Sequence, residues 1–140
     1  MKIRLASLAD LEALVSIDPV AQAEPSCDGF LEAVLRSEQC WLAETAHAPV
    51  GFVVLQYSFY GNGFVPLLAV RPESRRQGVG RSLLEHAASV CATSKLFTST
   101  NESNTAMRSL LARAGFEPSG IIQNLDLGDP ELVFFRRLRQ

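Results

Sequence analysis

Two glycines and three arginines lie together in the segment Arg75-Arg76-Gln77-Gly78-Val79-Gly80-Arg81. Glycine has no Cβ, so backbone amides can approach an anion closely at such a position. The apolar spacing after Gly78 predicts a helix, whose first turn offers unpaired N–H groups and the positive end of a dipole. Arg71 adds positive charge a few residues earlier. These residues favour a site for a polyphosphate, most simply a pyrophosphate.

Three other interpretations of the segment compete with this one. A P-loop needs Gly-Lys-Ser/Thr after its glycines, whereas the chain has Gly80-Arg81-Ser82. A dinucleotide fingerprint needs a third glycine where the chain has Leu83, and an early strand that opens the fold. The third interpretation is a capped helix with a cluster of solvated arginines. The segment alone does not choose among them.

Two longer strings are similar to the two signatures of the GNAT acetyltransferases. The acetyl-CoA-binding motif of that family resembles Leu68-Ala69-Val70-x-Pro72-(x)2-Arg75-x-x-Gly78-x-Gly80-(x)2-Leu83-Leu84. The second signature resembles Ser99-Thr100-Asn101-Glu102-Ser103-Asn104-x-Ala106-(x)3-Leu110-(x)4-Gly115-Phe116. Both strings occur in the family's order. The resemblance implies the GNAT acyl-CoA N-acyltransferase fold, with acetyl-CoA as cosubstrate and no metal.

The resemblance also implies roles for residues around the cofactor. In this family the pantetheine arm lies between the strand before the glycine loop and the next parallel strand. The resemblance implies that backbone groups of that first strand pair with the pantetheine amides. It also implies that the N–H near Val70 stabilises the negative charge that develops on the thioester oxygen. Backbone amides of residues 76–81 are implied to hold the pyrophosphate, and Asn104 the pantetheine arm or the sulfur region. The implied cofactor-binding residues are Leu68, Ala69, Val70, Arg75, Arg76, Gln77, Gly78, Val79, Gly80, Arg81 and Asn104.

The chain departs from the family at the usual acid and base. Many members carry a Tyr four residues before the Gly-Phe pair, as the acid for the leaving thiolate, and this chain has Leu111 there. Many also place a Glu on one of the two cofactor strands, and neither strand contains a carboxylate here. Candidate substitutes are Glu44 at a strand end, Ser99 as a residue that holds a water, and Tyr57 or Tyr60.

The family's reaction is direct transfer of the acetyl group of acetyl-CoA to a primary amine in a ternary complex. The resemblance leaves a small molecule, a peptide N-terminus and a lysine open as the acceptor. Because the usual acid and base are missing, a non-catalytic acyl-CoA-binding module is an alternative. A domain that binds ATP through the same loop is a further alternative.

An acidic loop covers residues 123–131 near the C terminus. The equivalent loop borders the acceptor side in the family, so the hypothesis is that Asp126, Asp129 or Glu131 attracts a cationic amine. The alternative is a solvated turn in which Asp and Gly satisfy the local geometry.

Hydrophobic periodicity and turn residues predict the order β-α-α-β-β-β-α-β-α-β-β in one α/β domain over 1–140. A mixed central sheet flanked by helices follows from the crossovers and hairpins. The predicted helices include 28–37 after a loop at 20–26, then 78–91 and 104–113. His47 and Pro49 are expected in a hairpin turn, and Pro66 indicates a bulge or an unpaired position in its strand.

The composition gives no support for nucleic-acid or membrane partners. The net charge is −2, with 47% hydrophobic and 20% charged residues, and no apolar run approaches the length needed to cross a bilayer. The three cysteines show no CxxC spacing, so neither a disulfide framework nor a zinc site is expected. The cytoplasm is therefore the expected location, and an edge strand near the C terminus could pair with a second copy.

Overall fold

The β-strands form one seven-stranded sheet. A computed structural model describes residues 1–18, 29–46 and 48–139. Its strands are β1 (Lys2–Leu5), β2 (Cys40–Thr45), β3 (Ala48–Phe59), β4 (Asn62–Val70), β5 (Lys95–Asn101), β6 (Glu117–Ile122) and β7 (Glu131–Arg137). Their order across the sheet is β1-β2-β3-β4-β5-β7-β6. β4 and β5 are parallel, whereas β5–β7 and β6–β7 are antiparallel, which confirms the predicted mixed sheet.

The described α-helices fall where the hydrophobic periodicity predicts them. They are α1 (Leu11–Ile17), α2 (Phe30–Arg36), α3 (Val79–Val90) and α4 (Thr105–Arg113), with 3₁₀ turns at Leu8–Asp10 and Pro72–Ser74. The element order agrees with the prediction. Asn104 lies one residue before α4 as its N-cap, and Pro49 lies inside β3 instead of in the hairpin turn. The predicted loop at 20–26, the predicted helix start at Asp28, Cys27 and His47 lie outside the described residues.

The chain divides into two compact units, of which the first comprises Met1–Leu55 and Leu67–Ala87. Its core is formed by the apolar stripes of α1 and α2 and by alternate residues of β2 and β3. This spacing is the one that places side chains on a single face of a helix or strand. The buried members are Ala6, Leu14, Ile17, Leu31, Val34, Leu35, Cys40, Leu42, Phe52 and Val54. Leu67 and Ala69 of β4 pack against the same cluster.

The second unit comprises Gln56–Pro66 and Ala88–Gln140. β5 pairs with β7 along its whole length, from Lys95 opposite Arg137 to Asn101 opposite Glu131. The ladder between β4 and β5 runs only from Gly63 opposite Leu96 to Val65 opposite Thr98. It stops at the residue before Pro66, which has no N–H to donate. This agrees with the locally unpaired position expected at Pro66.

No helix in the described ranges is both long and apolar enough to cross a membrane. The described cysteines, Cys40 and Cys91, are buried free thiols.

Candidate cofactor site at the start of helix α3

The loop between β4 and α3 contains two residues with left-handed backbone. Arg76 has φ of 64° and Gly78 has φ of 83°. Glycine adopts this conformation freely, whereas a non-glycine residue there costs about 1–3 kcal/mol and is found preferentially at functional sites. A Cβ built on Gly78 would meet no atom within 4 Å, so the backbone is open to solvent at this point. Left-handed residues of this kind occur in loops whose successive N–H groups form concave anion sites.

Helix α3 begins directly after this loop and leaves its first amides without helical partners. The N–H of Ser82 donates to the carbonyl oxygen of Gly78 at 3.0 Å. The N–H groups of Val79, Gly80 and Arg81 precede that bond and therefore have no carbonyl within the helix to reach. Because α3 has twelve residues, its dipole also contributes positive potential at this end. The start of α3 can therefore bind an anion.

Buried side chains of α3 fix the position of this helix start. Val79, Leu83, Leu84 and Ala87 are all buried on the face that the sequence pattern predicts. Gly51 on β3 lets the helix approach, since a Cβ there would lie 3.2 Å from Val79 Cγ1. Sequence reasoning missed the role of Gly51, although a glycine inside an apolar strand is a signal of close approach.

The arginines near the loop have different functions. Arg71 is tied into the fold, because its Nε donates to the carbonyl oxygen of Pro49 at 2.7 Å and its Nη1 donates to Ser16 Oγ at 3.0 Å. Arg75 Nε donates to the carbonyl oxygen of Val70 at 3.2 Å. Arg76 and Arg81 are exposed, and neither bonds to another residue in the described part of the chain. These two guanidinium groups are thus available to an anion, and Arg71 is mainly a structural residue.

The end of β4 directs part of its backbone away from β3. The N–H of Arg71 donates to the carbonyl oxygen of Val50 on β3 at 2.8 Å. Backbone groups of a strand alternate in direction, so those of Ala69 face β3 and those of Leu68 and Val70 face the opposite side. Of the three residues expected to pair with a pantetheine arm, Leu68 and Val70 are therefore the better placed.

The second unit contains the predicted residues Asn104 and Ser99. Asn104 caps α4, because its Oδ1 accepts the N–H of Met107 at 3.1 Å. Ser99 is half-buried on β5 opposite Val133. Their predicted contacts with the cofactor remain predictions.

The acidic loop between β6 and β7 is held by residues of the second predicted signature. Asp129 accepts two hydrogen bonds from Ser103, one from the backbone N–H to Oδ1 at 3.1 Å and one from the hydroxyl group to Oδ2 at 2.6 Å. Asp126 Oδ2 accepts from Asn101 Nδ2 at 2.9 Å. Glu131 lies on β7 opposite Asn101. The donors to both aspartates, Asn101 and Ser103, are neutral groups, and no basic side chain of the described residues forms an ion pair with either aspartate.

A match to known proteins identifies the family. Residues 36–118, more than half of the chain, match the profile of the acetyltransferase (GNAT) domain. The chain belongs to the GNAT family. Membership of this family accounts for both the fold and the two motif-like strings in the sequence.

Two curated relatives carry the name peptidyl-lysine N-acetyltransferase YjaB. The Salmonella typhimurium protein is 34% identical over 91 residues, which cover 64% of this chain and 58% of that protein. The Escherichia coli protein is 30% identical over 111 residues, which cover 79% of this chain and 71% of that protein. The match therefore spans less than two thirds of the Salmonella relative.

A solved structure extends the similarity over nearly the whole chain. It is a GNAT family acetyltransferase from Bacillus cereus, with a TM-score of 0.91 and 33% identity. The superposition covers 99% of this chain and 98% of that one. The predicted GNAT fold is therefore confirmed.

The residue at the usual tyrosine position and the candidate substitutes for the acid and base lie in different environments. Leu111, at the position where many members have Tyr, is fully buried. Glu44 Oε1 accepts from Arg4 Nε at 2.6 Å. The Tyr57 hydroxyl accepts the N–H of Ala92 at 2.9 Å, and Tyr60 is 90% exposed at the β3–β4 turn. Arg4 occupies Oε1 of Glu44, and no hydrogen bond to Oε2 occurs among the described residues.

Arg4 joins two carboxylates of the first unit. Besides Glu44, it binds Asp10 through Nη2 at 2.8 Å and Nη1 at 3.0 Å. The hydrogen bonds from Arg4 lower the pKa of Asp10, and the two carboxylates raise the pKa of Arg4. The N–H of Ser7 also donates to Asp10 at 2.8 Å. This group stabilises the start of the first helical segment and the β1–β2 pair.

Proposed function

We propose that this GNAT chain transfers the acetyl group of acetyl-CoA to a primary amine by direct attack in a ternary complex. The observation that carries the proposal is the start of α3. Three amides without helical partners occur there, together with two arginines whose side chains have no partner among the described residues. Next to them, the backbone groups of Leu68 and Val70 face away from β3. A pyrophosphate and an amide-containing arm are the groups that such a surface can satisfy together.

The pyrophosphate binds to the loop and the helix start. The amides of Val79, Gly80 and Arg81 donate to its oxygens, and Arg76 and Arg81 supply formal charge. Gln77 and Gly78 contribute backbone to the same loop. Charge-assisted bonds to phosphate are about twice as strong as neutral ones, so this segment contributes to the cofactor affinity through its strongest type of hydrogen bond.

The end of β4 positions the thioester. Leu68 and Val70 pair with the amides of the pantetheine arm, and the Val70 N–H donates to the carbonyl oxygen as negative charge develops there. Loss of one donor of this kind typically raises the barrier by about 2.7–4 kcal/mol. Asn104 keeps its amide N–H groups for the arm while its oxygen caps α4.

The reaction itself needs few side chains. The amine nitrogen attacks the thioester carbon, the carbon–sulfur bond breaks, and the electron pair leaves with the thiolate. The attacking nitrogen loses its second proton as the amide forms, and this proton passes to the thiolate to give free coenzyme A. The ammonium must first lose a proton, since its pKa near 10 keeps it protonated at neutral pH. A water held by Ser99, or the Oε2 of Glu44, accepts the proton of the ammonium. Because a thiolate is a stable leaving group, the buried Leu111 at the tyrosine position is compatible with turnover.

A lysine side chain in a peptide is the acceptor that the relatives favour. Both the Salmonella and the Escherichia coli relatives are named peptidyl-lysine N-acetyltransferases. The acidic loop suits a cationic acceptor as well, because Asp126, Asp129 and Glu131 are not neutralised by a described lysine or arginine.

The test combines cofactor binding with turnover. Coenzyme A should raise the melting temperature of the protein, and a panel of lysine peptides and small amines should show acetyl-CoA-dependent release of free thiol. Arg76→Glu should weaken coenzyme A binding at least about tenfold, equivalent to about 1.4 kcal/mol. Arg137→Glu makes the same charge change opposite Lys95 and should leave binding unchanged. Equal effects of the two variants would contradict the proposed phosphate position.

A non-catalytic acyl-CoA-binding module is the second candidate. It is favoured by two observations, the buried Leu111 and the engagement of Glu44 by Arg4. Thermal stabilisation by coenzyme A without turnover on any amine would select this candidate. Stabilisation by ATP without any stabilisation by coenzyme A would contradict both candidates.

A further inference from the structure

The β6 edge of the sheet is exposed and apolar. Among the described pairings, β6 is bonded only to β7, and all six of its residues are exposed. Large apolar side chains continue this surface into the following loop. Ile121 is 61% exposed, Leu125 62% and Leu127 fully exposed. Four of the ten exposed large hydrophobic residues of the described chain, these three and Ile122, fall within seven positions. Exposed apolar residues concentrated in this way mark interaction surfaces.

Part of this edge is suited to accept another strand. A strand directs alternate N–H and C=O groups away from its partner, and at a sheet edge these groups are a template for pairing. The first half of β6 is protected, because Pro118 cannot donate and the register with β7 shifts between Pro118 and Gly120. From Gly120 to Ile122 the pairing with β7 is regular, and the outer edge carries no charged residue.

The charge around this edge determines the kind of partner. Residues 114–135 contain Glu117, Asp126, Asp129 and Glu131 and no lysine, arginine or histidine. Arg136 donates to the carbonyl oxygen of Ala114, before the start of β6, so the half of the edge from Gly120 onward is the acidic one. The hydrogen bonds to Asp126 and Asp129 come from Asn101 and Ser103, so their charges are not cancelled. A second copy would bring four more carboxylates to the same edge. A basic segment would meet opposite charge there.

We propose that an extended peptide with alternating apolar and basic residues adds as a strand to the outer edge of β6. This rests on the proposed function, since the peptide is the lysine-bearing acceptor. The peptide backbone pairs with residues 120–122, and the apolar side chains of the peptide cover Ile121 and Leu127. Its basic side chains lie near Asp126 and Glu102, which line one pocket of about 480 Å³ with Gln123, Asn124, Leu127, Gly128 and Pro130.

The experiment measures binding of a fluorescent peptide of alternating valine and lysine by anisotropy. Ile121→Lys should raise its Kd about tenfold or more. Val90→Lys makes the same charge change at an exposed apolar residue at the end of α3 and should leave the Kd within about twofold. Two further peptides carry N-methyl groups on odd or on even residues. Because only alternate amides face the partner strand, one of them should lose binding and the other should keep it.

The outcomes separate this proposal from the proposed function. Equal Kd values for Ile121→Lys and the unchanged protein, or equal binding of both N-methylated peptides, would overturn strand addition, even if acetyl transfer to a small amine persists. Absence of acetyl transfer with the expected peptide results would refute the function and leave the docking surface in place. A dimer in solution that Ile121→Lys dissociates, with no peptide binding, would overturn the proposal in favour of a second copy.

Discussion

Gly51 on β3 and Ala69 on β4 approach so closely that a Cβ built on Gly51 would lie 2.8 Å from the Ala69 carbonyl oxygen. The same Cβ would lie 3.2 Å from Leu83 Cδ1 on α3. The absence of a side chain at Gly51 thus sets how closely β3 approaches both β4 and α3. Both the strand end and the helix start belong to the candidate cofactor site.

Gly51→Ala should therefore damage both the fold and cofactor binding. The new methyl group has to displace backbone as well as side-chain atoms, and overpacking of this kind costs about 1–3 kcal/mol. Chemical denaturation should show that loss, and coenzyme A should bind more weakly. Gly120→Ala is the matched control, because a Cβ there would meet no atom within 4 Å. If Gly51→Ala were as stable as Gly120→Ala, the close approach would be wrong.

Arg76→Gly should separate stability from cofactor binding. The left-handed φ of Arg76 costs a non-glycine residue about 1–3 kcal/mol. Glycine avoids this strain, but its greater conformational entropy in the unfolded state offsets part of the gain. We expect the free energy of unfolding to rise by up to about 1 kcal/mol while the affinity for coenzyme A falls. Arg81→Gly removes the same charge from within α3 and should lower both quantities. A decrease in stability for Arg76→Gly would show that the left-handed backbone stores no strain.

Asp129 and Ser103 should be energetically coupled. Hydrogen bonds to a charged group contribute about 1.5–3 kcal/mol when shielded from water, and less at an exposed site such as this one. In a double-mutant cycle of Asp129→Ala and Ser103→Ala, urea denaturation should give a coupling energy of about 0.5–1 kcal/mol. Part of the Asp129 effect should remain in the Ser103→Ala background, because the backbone N–H still donates. Strictly additive losses would contradict the pairing.

The acidic loop should affect the acceptor more than the cofactor. Glu131→Gln should raise KM for a lysine peptide without changing KM for acetyl-CoA, since it removes one negative charge from the loop. Steady-state kinetics with both substrates measures this difference. Glu12→Gln, which removes a charge from α1, is the control. An unchanged KM for the peptide would exclude Glu131 from acceptor attraction.

Asp10 should contribute to acid sensitivity. Arg4 lowers the pKa of Asp10 below its ordinary value of 3.8. The stability that this pair provides is present above about pH 3.8 and is lost as the pH falls through the lower folded-state pKa, because the unfolded state then binds the proton more readily. Asp10→Asn should be less stable than the unchanged protein at neutral pH and should show a smaller decrease on acidification. Parallel curves of unfolding free energy between about pH 6 and pH 2 would contradict this assignment.

The sequence by itself determined the element order and the mixed sheet, and it predicted anion binding by residues 75–81. Each depends on local information, namely hydrophobic period, glycine spacing and the start of a helix. The bulge or unpaired position at Pro66 could also be predicted, because a proline lacks the N–H whatever surrounds it.

Only the tertiary structure decided which charges are available. Arg71 and Arg76 look equivalent in the sequence, but the fold brings Pro49 to Arg71, 22 residues away, and leaves Arg76 in solvent. Asp129 is joined to Ser103 across 26 residues, and Glu44 to Arg4 across 40. Such pairs depend on how strands and loops distant in sequence are brought together. For that reason the composition of the glycine loop could be interpreted from the sequence, whereas the roles of Gly51, Arg71 and Asp129 could not.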